Sequence, residues 1–251
     1  MAVLEVRNVT FSYNGTDKIL NDVNLELKDG ELVCLLGVSG GGKTTLFNII
    51  AGLIEPQQGQ VLLNGEDITG QSGKVSYMLQ KDMLLPYRTV EDNVALPLII
   101  KGMKKKEARQ KAGEHFGAFG IEGTQKRYPV ELSGGMKQRA ALLRTYLFSA
   151  QVALLDEPFS ALDTLTKSEM HRWYLDVMER IRLSTLFITH DVDEAILLSD
   201  RIYLLDGRGG LTDEIVIKEP KPRRKEFVLS EEFLQYKRDI IAKIYAGKTD
   251  E

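Results

Sequence analysis

The chain has 251 residues, of which 27% are charged, with a net charge of −3 and a single cysteine. That length allows one or two domains and buries about 70–75% of the unfolded surface, enough for a sizeable core. The balanced charge makes no field that gathers nucleic acid, one cysteine excludes an internal disulfide framework, and no run approaches the ~18 apolar residues that span a bilayer.

The first residues, Met1-Ala2-Val3-Leu4-Glu5-Val6, lack the basic-then-apolar layout of a signal peptide. The expectation is a protein soluble by itself in a reducing compartment, with any membrane role exerted through a partner. Leu4, Val6, Val9, Phe11 and Tyr13 then alternate with polar residues, which predicts an edge strand ending in a turn at Asn14-Gly15. Tyr13 stands just ahead of the first glycine-rich loop. An aromatic there can stack on an adenine ring, or serve the core like most strand aromatics. Val23 to Leu27 alternates again and stops at Asp29-Gly30, so antiparallel β-structure is expected around the next element.

Leu32 to Leu36 is a continuous apolar run, the pattern of a buried parallel strand, with Cys34 as a small core residue inside it. Gly37-Val38-Ser39-Gly40-Gly41-Gly42-Lys43-Thr44 follows, and Thr45 to Ala51 reads as a helix. The loop fits G-x-x-x-x-G-K-[ST], the Walker A pattern, in its required strand–loop–helix setting. Glycines at 37, 40, 41 and 42 let backbone N–H groups close on a polyphosphate, and the helix N-terminus adds about half a positive charge. Ser39, Lys43, Thr44 and Thr45 are the side chains placed to bind it, with Thr44 completing a Mg²⁺ shell. The expected ligand is a nucleoside triphosphate.

Gln60 to Leu63 and Val75 to Leu79 read as strands, the second ending at Gln80. From Thr89 the pattern turns helical, and Lys101 to Lys111 carries a basic run read as a solvated helix face. Leu132-Ser133-Gly134-Gly135-Met136 precedes a helix from Lys137 to Leu147. The apolar run Gln151 to Leu155 ends in Asp156-Glu157, and Leu186-Phe187-Ile188 delivers Thr189-His190-Asp191. Between them a helix from about Thr164 to Arg182 carries Met170, Trp173, Tyr174, Val177 and Ile181 on one stripe. Ile202 to Leu205 and Ile215 to Ile217 read as closing strands. Lys221 to Lys225 is a basic linker, and a last amphipathic helix carries Phe233, Tyr236, Ile240 and Ile244.

Open α/β sheets place ligands at the carboxyl ends of their strands, where these polar groups fall. Asp156 is expected to hold Mg²⁺ and Glu157 to act as general base on the attacking water. Gln80 is placed to touch both metal and water, and His190 to contact the γ-phosphate.

With these motifs in this order, from Tyr13 to about Arg208, the sequence resembles the ATP-binding cassette subunit of an ABC transporter. Tyr13 matches the A-loop, Gln80 the Q-loop, Leu132 to Met136 the signature, Ser160-Ala161-Leu162-Asp163 the D-loop and His190 the switch histidine. The resemblance implies an α/β fold with a P-loop NTPase (RecA-like) core, an antiparallel β subdomain and an inserted α-helical subdomain. It implies an ATPase domain over residues 1–225 with helices inserted at about 85–150, then a helical tail over 226–251. It also implies a head-to-tail dimer in which Ser133 and Gly135 act on the nucleotide across the interface, with Gly134 and Asp163 as further nucleotide-binding residues. Met136 replaces the usual signature glutamine, and Arg144-Thr145-Tyr146-Leu147 is bulkier than the family's usual small run.

Leu84 to Leu98 and Tyr128 to Met136 are similar to the nitrate/sulfonate/taurine importer group, which includes importers of pyrimidine precursors. Tyr87 stands where that group commonly has Trp, and Val130 where it has His. The resemblance implies integral membrane permease subunits as partners, an extracytoplasmic solute-binding protein reached indirectly, and a place on the cytoplasmic side of the membrane. An exporter cassette and a soluble ABC ATPase of translation or DNA repair are the alternatives. The latter carry a second cassette or a long coiled coil, which 251 residues without sustained heptads do not hold.

Overall fold

A computed structural model describes residues 2–38, 40–148, 151–160, 162–221, 223 and 225–246. The larger sheet has six strands in the order β10 (Leu211–Val216), β9 (Arg201–Leu205), β3 (Leu32–Gly37), β8 (Ser184–Thr189), β7 (Val152–Asp156) and β6 (Ser76–Met78). All neighbours are parallel except β10, which closes the edge antiparallel to β9. Every residue of β3, β7, β8 and β9 is buried, which is why each carries an apolar run, flanked in β7, β8 and β9 by buried polar residues at the strand ends (Asp156, Ser184, Thr185, Thr189 and Arg201).

The smaller sheet is antiparallel: β2 (Leu20–Lys28), β1 (Ala2–Phe11), β4 (Gln58–Leu63) and β5 (Glu66–Asp67), in that order. The expected edge strand β1 is therefore interior, paired with β2 on one side and β4 on the other. Gly59 makes the second pairing possible. It takes φ +90°, and a Cβ there would fall 2.5 Å from Arg7 O. Alternation along β1 predicted a strand, but its second neighbour comes from beyond the glycine loop.

Alternate residues of β3 serve two cores. Val33 and Leu35 join the smaller sheet and helix α1 (Lys43–Ile50), while Leu32, Cys34 and Leu36 face the helices on the other side. α1 fills the space between the sheets with Leu46, Phe47, Ile49 and Ile50, each at most 1% exposed. Burying side chains of that size is worth about 1.5–3 kcal/mol apiece. Burial also pushes the Cys34 thiol well up, in keeping with a core role.

The second core is roofed by α2 (Val90–Ile100), α3 (Lys105–Gly113), α4 (Gly134–Phe148), α5 (Thr164–Ile181), α6 (Val192–Leu198) and α7 (Glu231–Ala246). Thr89 caps α2 by accepting from Asp92 N. The basic run is partly neutralised there, since Arg109 grips Asp92 with two bonds of 2.7 and 2.8 Å and Lys105 lies 3.4 Å from the same carboxylate. Lys104, Lys106 and Lys111 stay exposed, as a solvated face requires. α4 begins three residues before the expected Lys137, because Ser133 Oγ accepts from Met136 N and draws the signature glycines into the first turn. The bulky run is accommodated: Thr145 and Leu147 are buried, and Tyr146 packs on Phe119 and His115.

The tail is packed down. Phe233 and Ile240 of α7 are buried in the same core as Leu198 of α6. Arg223 donates from one nitrogen to Ile196 O, Leu197 O and Ser199 O, closing the end of α6.

Candidate active site

Strand order brings the candidate side chains together. β3, β8, β7 and β6 lie side by side, and their carboxyl ends carry Gly37, His190, Asp156-Glu157 and Gln80 in that sequence. Three strand spacings of about 4.8 Å separate the first from the last, so the array is roughly 14 Å wide. Register keeps the ends level, with Leu36 opposite Thr189 and Asp156 opposite Ile188.

At one end the glycine loop turns directly into α1. Gly42 is the N-cap residue at φ +93°, and a Cβ there would lie 2.7 Å from Ile19 O. Only glycine makes that turn, and it brings no side chain to cap the helix's first N–H groups. Lys43 is buried under the loop, its ammonium donating to Gly37 O at 2.9 Å and Val38 O at 2.7 Å. Burial holds its pKa below the usual lysine value, opposed by the charges of Glu157 and Asp156. Ser39 lies outside the described residues.

Thr44 Oγ1 donates to Asp156 Oδ2 at 3.3 Å, joining the glycine loop to β7 across 112 residues of chain. Asp156 is 8% exposed, and burial raises its pKa, with the Glu157 charge adding to the rise. A hydroxyl, a carboxylate and the nearby Gln80 amide are the hard oxygen donors that suit a small divalent cation keeping water or phosphate oxygens for its other positions. Among the described residues no group of three His, Cys, Asp or Glu side chains forms a complete metal cage, so such a cation would depend on its ligand's oxygens.

Glu157 is the centre of the array. Its Oε2 accepts from Gln80 Nε2 at 2.9 Å, and its Oε1 lies 3.0 Å from His190 Nδ1. Its backbone N–H continues the ladder to Ile188 O, then the chain turns through φ +46°. A non-glycine residue costs about 1–2 kcal/mol in that region, and such strain collects at functional sites. The turn swings the carboxylate off the strand end, between the amide and the imidazole.

Tyr13 reaches the same loop. Its hydroxyl shares a 3.3 Å hydrogen bond with Thr45 Oγ1, its ring edge meets Phe11 at 4.8 Å, and 65% of the residue is exposed. An exposed face beside the glycine loop suits stacking better than core packing. Ser133, Gly134 and Gly135 instead start α4, where Gly134 faces Leu162 and Gly135 faces Thr166 and Met170. Asp163 caps α5, accepting from Thr166 N and Oγ1, and these bonds lower its pKa. Signature and D-loop thus form a second cluster, on the α5 side. Ala161 of the D-loop lies outside the described residues.

Two neighbours had no signal in the sequence. Tyr77 stands with its buried hydroxyl close to Asp156, and burial and that carboxylate hold its pKa up. Glu194, 3% exposed, accepts from Thr189 Oγ1 and lies 2.9 Å from His171 Nε2, fixing the residue that precedes His190. Neither position belongs to a spacing that local pattern picks out.

A family model described as ABC transporter matches residues 20–160. The chain is 39% identical over 240 residues to the formylaminopyrimidine import ATP-binding protein of Halalkalibacterium halodurans, covering 95% of this chain and 93% of that one. It is 35% identical over 258 residues to the nitrate import ATP-binding protein of Synechocystis sp., covering 100% and 97%. Among solved structures it is similar to a dimeric post-hydrolysis state of an ATP-binding cassette bound to ADP and Pi. That likeness has a TM-score of 0.73 and 30% identity, over 86% of this chain and 100% of that one.

Proposed function

The chain belongs to the ABC transporter family as an ATP-binding cassette, an ATPase, and we propose that it drives import of a small solute of the nitrate, sulfonate or pyrimidine-precursor type. The observation that carries the catalytic part is Glu157, held between Gln80 and His190 at a strand end beside the glycine loop.

The nucleotide is bound as MgATP. Lys43 and the N–H groups of Gly37, Gly40, Gly41, Gly42, Thr44 and Thr45, with Ser39, take the phosphates, and Tyr13 stacks on the base. Thr44, Asp156 and Gln80 hold Mg²⁺, which when bound supplies charge neutralisation on the phosphate oxygens. Glu157 takes the proton from the attacking water, and His190 and Gln80 keep its carboxylate aimed. Two cassettes meet head to tail, so that Ser133, Gly134, Gly135 and Asp163 of one face the nucleotide of the other. The signature's separation from the glycine loop within one chain supports this reading, since it leaves the N-terminus of α4 for a partner's ligand.

Residues 1–225 form the ATPase domain, with the helices of about 85–150 as an inserted subdomain and 226–251 as a tail. Among the described residues no helix is long and apolar enough to cross a membrane. The cassette is attached to the cytoplasmic side through permease subunits, which dock on the segment after Gln80. Met83 and Tyr87 there are 56% and 72% exposed, and Leu53, Tyr77, Pro97 and Phe148 line an adjoining groove of about 250 Å³. An extracytoplasmic binding protein selects the solute.

Affinity capture from detergent-solubilised membranes tests the assignment. Recovery of a polytopic permease, with ATP hydrolysis stimulated by a solute-loaded binding protein, is the expected result. Recovery of ribosomes or DNA, with no permease, overturns the transport reading and leaves the ATPase chemistry standing.

A further inference from the structure

Gln80 reaches Glu157 from a segment with no regular structure, between β6 and α2. Something must hold that segment, because a side-chain amide on a wandering loop spends little time at a given carboxylate. Two side chains from the inserted helices do so. Asn93 of α2, fully buried, donates to Leu85 O, Arg88 O and Thr89 O and accepts from Leu85 N. It fixes the far half of the segment. Nearer Gln80, Arg144 of α4 donates through Nη2 to Asp82 O at 2.5 Å and through Nη1 to Met83 O at 2.8 Å. Its fork spans two consecutive carbonyls at a kink, where Met83 takes φ +48° and Leu84 N donates to Asp82 Oδ1.

Arg144 is half-buried, and burial lowers its pKa. A guanidinium withdrawn from water to meet two neutral carbonyls gives up hydration that a surface position would keep. Its planar fork, however, matches a kinked pair of carbonyls in a way that an ammonium does not. α4 also begins at Gly134 in the signature, ten residues and about 15 Å of rigid helix away.

We propose that Arg144 is a positioning residue for hydrolysis: it pins the Gln80 segment to the signature helix, so that α4 moves signature and Gln80 as one body. The proposal rests on the reading of Gln80 and the signature given above. A partner's nucleotide contacting the N-terminus of α4 thereby bears on how Gln80 meets Glu157 in the same chain.

The test uses the full chain with R144K and R144M, alone and combined with Q80A. Steady-state ATP hydrolysis, fluorescent-nucleotide binding and amide hydrogen exchange are measured, with thermal melts to establish folding. Expected are a kcat lower by about 10–100-fold in R144M, the range for a misplaced catalytic group, and a KM within about twofold of wild type. Exchange over residues 81–85 is faster and that of α4 unchanged. R144K, which keeps the charge but not the fork, falls between. R144M adds no further loss to Q80A, because both act through the same amide.

A folded R144K or R144M with wild-type kcat, or with unchanged exchange over 81–85, overturns the proposal, as do losses that multiply with Q80A. If R144M fails to fold, R144K decides on the same criteria. Wild-type turnover in Q80A alone would remove the role given to Gln80; faster exchange in R144K would then still separate the structural grip from that failure.

Discussion

Replacing Glu157 by Gln separates chemistry from binding and from folding. The side chains are isosteric, and the φ of +46° is no harder for one than for the other. Glu157 now accepts from Gln80 at 2.9 Å and lies 3.0 Å from His190. The new amide oxygen can keep one of these contacts, while its NH₂ group faces either the Gln80 amide, which accepts after a flip, or the His190 nitrogen, which accepts in the other neutral tautomer. One exposed hydrogen bond is at stake, about 1 kcal/mol, or a Tm change of about 2–4 °C at this chain length. Loss of a general base costs about 10²–10⁴ in rate, equivalent to about 2.7–5.4 kcal/mol of barrier. Phosphate release at saturating ATP should fall by that factor, with nucleotide binding within about threefold of wild type. Wild-type turnover in a folded E157Q would refute the general-base assignment. A collapse of binding with intact turnover per bound nucleotide would make Glu157 a binding group instead.

Ser133→Arg should leave nucleotide binding to the monomer intact and abolish ATP-dependent dimerisation; light scattering that still shows the dimer sinks the trans-signature reading. Arg223→Ala strips one donor nitrogen from three carbonyls at the end of α6. Leaving them unmet should destabilise by about 3 kcal/mol, lowering Tm by about 6–12 °C in a calorimetric melt. Arg109→Gln removes the two bonds that hold the Asp92 carboxyl below its ordinary value of 3.8. A depressed carboxylate stabilises the fold above its unfolded pKa and loses that contribution as pH falls through its folded value. The variant should therefore melt about 2–4 °C below wild type near pH 7, for a contact worth about 1 kcal/mol, and the gap should narrow below about pH 4. A gap that is independent of pH would show that Arg109 acts through packing rather than charge.

What the sequence determined by itself is whatever depends on neighbours along the chain. The glycine loop is legible because its cradle is built from consecutive backbone groups, with Lys43 and Thr44 attached at fixed offsets. β3, β7 and β8 are legible because strands buried on both faces carry a continuous apolar run, even where polar residues sit at their ends. The order of motifs was sufficient to name the family. Pairing was not legible. β1 reads as a strand from its alternation, yet its interior place depends on β4, which arrives some fifty residues later in the chain. Gln80 and His190 are single polar residues at strand ends, and nothing local distinguishes them from ordinary surface groups. They become a site only because β6, β7 and β8 are adjacent, which closes gaps of 77 and 33 residues onto one carboxylate. Arg144 is plainer still: in sequence it is a bulky residue in a helix, and in the fold it holds two carbonyls 61 and 62 residues away. Periodicity reports which face of an element is buried, since that is a property of the element alone; which other element covers that face is decided by the packing of the whole chain.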